Sequence, residues 1–381
     1  MSSLTKSNSN VTSSAWKKRQ TSRPSVTVVI LSYNTADITR RCLEAVSSSR
    51  GVELNIVVVD NASTDRSAVS LARKYRLRKN HALLNKVGEA QNSTKTEIWE
   101  NLPFDYQEVA NIRTGKLGRH QLHLVELHHN IGFGRANNLG MALVPASHYL
   151  FLNSDAFVKP HTILNLVKSF KTNAGVKSQA VLGRFRQQID NVGVAAAQLY
   201  NQDKTIQVQG GSLPNLLNIF LWITFLDDIP FINKIWNSYQ HHLADMRSLK
   251  RKKIAKVGWV GGTSMMISRS CLEEIGGFDP RIFMYGEDIE LCWRATRRHW
   301  DVVLVETGKV VHLGSASSDS HQAIVGEIKG LKYLWSKHTS QTDFWFFRQI
   351  LLFGIRLRII IFGILARYGR QRAYQEALDL V

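Results

Sequence analysis

Cysteine is scarce in this chain of 381 residues: there are three, Cys42, Cys271 and Cys292. They are widely spaced, odd in number and form no CxxC pair, which argues against a disulfide framework and a zinc site and fits a reducing cytoplasm. Residues 1–24 are polar and lack the apolar central stretch of a secretory leader, so they read as a disordered tail. Acidic side chains are also few, with 30 Asp plus Glu against 49 Lys plus Arg and a net charge of +19. That balance favours polyanionic partners: nucleic acid, anionic lipid or phosphorylated substrates. No recognition helix, RNA-binding sheet motif or zinc module accompanies the charge, which argues against nucleic acid. The glycines at Gly132 and Gly134 are followed by RANNLG and so do not complete GxGxxG, which argues against a nicotinamide cofactor. No internal repeat is visible.

What is present is an alternation of short β-branched runs and amphipathic stretches. Residues 25–31 (SVTVVIL) read as a buried strand ending in Tyr33-Asn34, and residues 56–59 as a second, ending in Asp60-Asn61. Between them, residues 37–49 carry helical spacing, with Asp37 placed to cap the helix. Residues 80–121 are polar and read as an inserted loop. Order resumes with a strand at 123–127, a glycine turn, a helix at 135–143 and a strand at 149–152 that ends in Asn153-Ser154-Asp155. Later come Trp259-Val260-Gly261-Gly262, a strand at 263–267, a helix opening on Glu287-Asp288, and apolar runs at 302–305 and 310–311 ending on His312. Strands alternating with helices predict an α/β fold with a mostly parallel, twisted, helix-flanked sheet, in which ligands bind beyond the carboxyl ends of the strands. Tyr33, Asp60 and Asp155 all stand at such ends, so one edge of the sheet is the expected site.

Six blocks carry a resemblance, in order: VTVVILSYN, VVVDNASTD, HHNIGFGRANNLGM, YLFLNSDAFV, the long run from VGWVGG to GEDIELCWRA, and VVHLGSAS. Together they resemble the family 2 glycosyltransferases, most closely bacterial rhamnosyltransferase-like members. The resemblance implies a GT-A nucleotide-diphospho-sugar transferase domain over 25–320, with the insertion at 80–121, and an inverting transfer of one sugar to an acceptor hydroxyl. It gives Asp60 a role in reading the nucleotide base; the residues alone equally allow Asp60-Asn61 to cap the turn that follows. Asn153-Ser154-Asp155 stands where the family carries Asp-x-Asp, so Asp155 is the expected ligand of Mg²⁺ or Mn²⁺, and His312 the second by resemblance. A plain histidine at a strand end is the competing reading.

Glu287 and Asp288 open a helix, where acids commonly serve only the helix dipole. The resemblance makes Asp288 the general base. Tyr33, Asn61, Arg135, Asn138, Asn153, Trp259, Gly261, Gly262 and Glu287 complete the expected substrate-binding set, although Arg135 and Asn138 also suit an ordinary helix surface. The expected partners are a nucleotide diphosphate sugar and a lipid-linked or glycan acceptor, with rhamnose from dTDP-rhamnose the first choice by resemblance. The oligomeric state is left open.

Residues 321–381 form the last expected unit, a helical segment. Residues 344–366 are long enough to span a bilayer but contain Arg348, Arg356 and Arg358, which disfavours a simple span and favours a helix lying on an anionic membrane surface. Arg367, Arg370 and Arg372 follow it. The apolar stretch 216–226, followed by Arg247, Lys250, Arg251, Lys252, Lys253 and Lys256, reads as a second such patch. The implied location is the cytoplasmic face of a membrane. A terminal helix packed on the catalytic domain is the alternative.

Overall fold

The structure, a computed structural model, describes residues 24–85, 106–171, 180–182, 185–187, 189–229, 232, 238–240, 253–314 and 320–381. Most of the N-terminal tail, the middle of the 80–121 insertion and the basic residues Arg247 to Lys252 lie outside the described residues.

In chain order the main sheet is built from β1 (Ser25–Ser32), β2 (Glu53–Asp60), β3 (Arg78–Lys79), β4 (Val109–Leu117), β5 (His120–Leu127), β6 (His148–Asn153), β7 (Ala156–Val158), β8 (Val192–Tyr200), β9 (Ile206–Gln207), β10 (Ile254–Val257), β11 (Ser264–Ser268) and β12 (Asp301–His312). Its order is β10-β12-β8-β11-β6-β1-β2-β5-β4-β3, with β9 on β8 and β7 on β12. The central strands β6, β1, β2 and β5 are parallel, as are β8 and β12; antiparallel strands join and extend these two groups. The expected α/β class is therefore present, with the parallel strands concentrated around the site edge.

The helices are α1 (Ala36–Ser47), α2 (Ser67–Lys74), α3 (Phe133–Leu143), α4 (Thr162–Ser169), α5 (Leu216–Ile223), α6 (Arg269–Ile275), α7 (Glu287–Arg297), α8 (Ser320–His338), α9 (Gln341–Ile364) and α10 (Tyr368–Leu380). Side chains alternate across a strand, so β1 serves two cores at once. Val26, Val28 and Ile30 share one core with Cys42, Leu43 and Val46 of α1, whereas Val29 belongs to the core on the other face, with Leu139 of α3. Burying one such Val or Ile is worth about 1.5–3 kcal/mol, and a one-residue slip would swap every one of them between faces. The register is fixed accordingly, and it sets Ser32 opposite Asp60 and Leu31 opposite Asn153.

Several expectations are corrected. The N-cap position of α1 is Thr35, not Asp37, which is exposed in the first turn beside Arg40. The stretch read as an inserted loop contributes β4, paired antiparallel with β5 from Leu117 and His120 outward. Its alternation was weak because Lys116 and the partly exposed Arg113 and Thr114 interrupt it. The two apolar runs after residue 301 form one strand, β12, whose irregularity against β8 falls between the two runs.

A third core lies beneath the C-terminal helices, where Ile219, Trp222 and Ile223 of α5 meet Phe347, Leu351, Ile355 and Phe362 of α9, with Trp335 of α8. The apolar stretch read as a second membrane patch is thus largely buried against the first. Arg358, read as a charge in the middle of an apolar segment, is also buried. Its guanidinium lies over the Phe225 ring at 3.9 Å, donates to the Ile223 carbonyl at 2.8 Å and to the Tyr374 hydroxyl at 2.5 Å, and also bonds the Trp222 carbonyl. Those carbonyls sit in the last turn of α5, where free acceptors need donors. Among the described residues, no helix is long and apolar enough to cross a membrane.

Candidate active site

The polar strand ends open into a cleft of about 250 Å³ at the edge of the sheet, lined by Tyr33, Asn61, Asn153, Asp155, Glu287 and Asp288 among others. With Gly262, seven of the residues singled out in the sequence therefore share one cavity although they lie up to 255 positions apart.

Asp155 follows β6, and β7 then turns back to pair with the end of β12, Ala156 opposite His312. This pairing brings His312 Nε2 to 3.3 Å from Asp155 Oδ1. On its other side the ring's Nδ1 lies 2.8 Å from Gln207 Oε1, while the Gln207 amide nitrogen donates to the His312 carbonyl. An amide oxygen only accepts, so Nδ1 carries the hydrogen and Nε2 is the ring atom turned to Asp155. One carboxylate and one oriented imidazole suit a divalent ion that takes its other ligands from diphosphate oxygens and water. Among the described residues no cluster of three or more His, Cys, Asp or Glu is placed to hold a metal by itself.

Across the cleft, α7 begins after Tyr285 (φ +71°) and Gly286 (φ +94°). Asp288 Oδ2 accepts a hydrogen bond from the Gly262 amide at 3.2 Å, and Oδ1 one from Ile289 at 2.8 Å. Glycine at 262 eases this approach, because a Cβ there would stand 2.9 Å from the Phe133 ring and force it to shift. Gly261 runs beside the carboxylate, its amide bonded to the Gln209 carbonyl. Burial raises the Asp288 carboxyl above the ordinary range; burial and the Asp288 charge raise Glu287 as well. Glu287 Oε2 is buried without a hydrogen-bond partner. Glu287, buried, and Asp288, half-buried at the cleft wall, titrate as a pair, and one of them retains a proton well above pH 4.

Other expected residues sit elsewhere. Asp60 is buried beside the cleft lining, and its oxygens accept from the Ser63 hydroxyl at 2.6 Å and amide at 3.0 Å, which organises the turn after β2. Its neighbour Asn61 lines the cleft and braces the turn before α3, donating to Asn130 and accepting from Ile131. Asn138 does not face the cleft: it is wholly buried and exchanges two hydrogen bonds with the Phe278 backbone. Arg135 pairs with Glu108 at 3.1 Å. Trp259 donates its indole N–H to the Tyr239 carbonyl and packs between two cores.

Thr35, Asn130, Phe133, Ser154, Thr263, Met284 and Tyr285 line the cleft and were not singled out in the sequence, although all stand within or beside the six blocks. Behind the site, Asp279 and Glu290 anchor α8 through Lys337, which lies 2.6 Å from both. Burial opposes the charge of Glu290, but His338, Arg294 and Lys337 hold its carboxyl down to about 2.

Residues 24–325 match the model of the glycosyltransferase-like family 2. Over 56 residues the chain is 41% identical to the N-acetylglucosaminyl-diphospho-decaprenol L-rhamnosyltransferase of Mycobacterium tuberculosis, covering 15% of this chain and 18% of that protein. Over 63 residues it is 35% identical to the low-salt glycan biosynthesis hexosyltransferase Agl10 of Haloferax volcanii, covering 16% and 20%. The matched segments thus span no more than a fifth of these relatives. Among solved structures, the mannosyltransferase PcManGT of Pyrobaculum calidifontis, in complex with GDP-Man and Mn²⁺, aligns with TM-score 0.49 and 15% identity over 94% of this chain and 87% of that one. S. aureus TarS 1-349 aligns with TM-score 0.41 and 11% identity over 93% and 90%.

Proposed function

The chain belongs to glycosyltransferase family 2, and on that premise we propose that it is an inverting, metal-dependent transferase moving a sugar from a nucleotide diphosphate donor onto a hydroxyl of a lipid-linked glycan acceptor. The observation that carries this reading is the cleft itself: the Asp288 carboxylate, held by a main-chain amide, shares one cavity with Asp155, whose carboxylate is paired behind the lining with the His312 imidazole. Inverting transfer needs those two poles. Asp288 takes the proton of the attacking acceptor hydroxyl, with its lone pairs fixed by Gly262 and Ile289, and the hydroxyl attacks the anomeric carbon opposite the leaving diphosphate. Asp155 and His312 would hold Mg²⁺ or Mn²⁺, which offsets the negative charge growing on the departing diphosphate. Tyr33, Thr35 and Asn61 stand on the donor side of the cleft, above the turn that Asp60 shapes. Glu287, its carboxyl raised by burial and by the Asp288 charge, stays protonated beside the base.

The relative from Mycobacterium tuberculosis supports rhamnose as the sugar and a polyprenyl diphosphate as the acceptor's anchor. Purified protein given divalent cation and a polyprenyl-diphosphate glycan is expected to release nucleoside diphosphate from one donor of a panel holding dTDP-rhamnose, UDP-galactose, UDP-galactofuranose and UDP-glucose. No release and no thermal stabilisation with any of them would contradict the reading.

An anchored acceptor implies a membrane-facing surface, and α9 supplies one. Trp345, Phe346, Phe353, Ile360 and Ile364 are exposed and recur at helical spacing on the face turned away from the third core. Arg356 stands among them, and Arg367, Arg370 and Arg372 follow. Apolar side chains between arginines suit the interface of an anionic bilayer on the cytoplasmic side. Removing α9 would also uncover Trp222 and Ile223, so point changes test this face better than truncation. Phe353→Glu with Ile360→Glu is expected to abolish cosedimentation with vesicles containing phosphatidylglycerol and to leave the melting temperature unchanged. Undiminished cosedimentation would place the lipid contact elsewhere.

A further inference from the structure

The loop that delivers Asp288 is sterically unfavourable. Tyr285 (φ +71°) and Gly286 (φ +94°) are consecutive left-handed residues, and the first carries a large aromatic side chain. Such a conformation persists only where its surroundings hold it. The surroundings here are α8, a helix with two interior glycines at Gly326 and Gly330, four residues apart and therefore on one face. Glycine weakens a helix interior, so two on one face call for a packing reason.

The contacts supply it. A Cβ on Gly326 would overlap the Tyr285 ring, and one on Gly330 would overlap the Tyr285 carbonyl oxygen. A Cβ on Gly286 would in turn stand 3.1 Å from the Gly330 Cα. The loop backbone thus rests directly on the α8 backbone. Two further features fix how α8 presents this face. Glu327, between the glycines, is bonded to the Tyr239 hydroxyl and the Gln240 amide. At the C-terminal end, Lys337 joins Asp279 and Glu290, and His338 lies 2.9 Å from Glu290. Glu290 lies on α7, the helix that Asp288 helps to open.

We propose that α8 is a positioning element of the catalytic centre: Gly326 and Gly330 form a seat that holds Tyr285-Gly286 in the left-handed conformation and thereby fixes the aim of the Asp288 carboxylate. The C-terminal helices then do two tasks, one face of α9 meeting lipid and the glycine face of α8 setting the base. The donor side is independent of this seat, because Asp155 and His312 are placed by β6, β7 and β12 and Asn61 by β2.

The inference rests on the transferase reading, and the full-length chain carrying Gly330→Ala or Gly326→Ala tests it. Gly330→Ala, which collides with main chain, is expected to lower kcat by about 10-fold or more with donor KM within about twofold of wild type, since small misplacements of a catalytic group can cost about 100-fold. The ascending limb of its kcat–pH profile should shift, because the Asp288 environment changes. Gly326→Ala, which collides with a ring able to move, is expected to act in the same direction and less. Unchanged kcat in both, or kcat and donor KM deteriorating together, overturns the proposal; should Gly330→Ala not fold, Gly326→Ala decides by the same criteria. Amide hydrogen exchange at residues 285–290 needs no turnover: faster exchange in the variants supports the seat, and unchanged exchange refutes it. Absence of any transfer by wild type would refute the transferase reading alone and leave the exchange result standing.

Discussion

Asp288→Asn is expected to lower kcat by about 100-fold or more while donor affinity stays within about twofold of wild type. The substitution keeps the shape of the side chain, and its amide oxygen keeps one of the two main-chain hydrogen bonds that Gly262 and Ile289 donate, while its NH₂ group gives up the other. What disappears is the capacity to take a proton, which is worth about 10² to 10⁴ in rate. A 100-fold loss corresponds to about 2.7 kcal/mol of transition-state stabilisation. Donor affinity survives because Asp155, His312, Tyr33 and Asn61 belong to other strands. The wild-type pH profile carries its own signature. Burial raises the Asp288 carboxyl, and the base works only when deprotonated. The acidic limb of kcat should therefore rise with pH through a midpoint above the ordinary carboxylate value of about 4. A midpoint at or below that value, or wild-type kcat in the Asp288→Asn enzyme measured by nucleoside diphosphate release, would move the base elsewhere.

The second large effect is expected at Asp155. Asp155→Ala should bring turnover below detection and remove the stimulation of donor binding by Mg²⁺ or Mn²⁺. The fold should hold, because the carbonyl of residue 155 still accepts from the Leu313 amide and β7 still pairs with β12. The side chain itself contacts His312, which Gln207 holds independently. Titration calorimetry of the nucleotide sugar with and without divalent cation reads the loss directly. Wild-type turnover that persists in excess EDTA, or donor binding by the Asp155→Ala enzyme that still responds to cation, would contradict the assignment.

The parallel core and its polar edge were legible because they follow from short-range signals. The runs at β1, β2 and β6 are apolar almost throughout, and each stops at a side chain that cannot be buried without a partner. The His312–Asp155 approach depends instead on β7, three residues long, folding back onto β12, and nothing in local spacing announces that pairing. Asp60 and Asn138 looked alike as polar residues near the site, yet Asp60 accepts from Ser63 in the turn after β2 and Asn138 is bonded to the Phe278 backbone. That outcome is set by loop geometry rather than residue type. β4 was lost to its own polar residues.

The C-terminal segment shows the same limit. Its arginines disfavoured a simple span, but hydropathy does not distinguish Arg358, bound by carbonyls at the end of α5, from Arg356, which is exposed. Periodicity marks α9 as a long helix and leaves open which face meets protein. The answer lies in α5, more than 100 residues earlier. Gly326 and Gly330 carried no signal until Tyr285 was seen to lie on them.

The account turns on a single displacement driven by one base. The anomeric configuration of the product, determined by NMR and compared with that of the donor, tests it most directly: the account predicts the opposite configuration, and a product that retains the donor's configuration would contradict it.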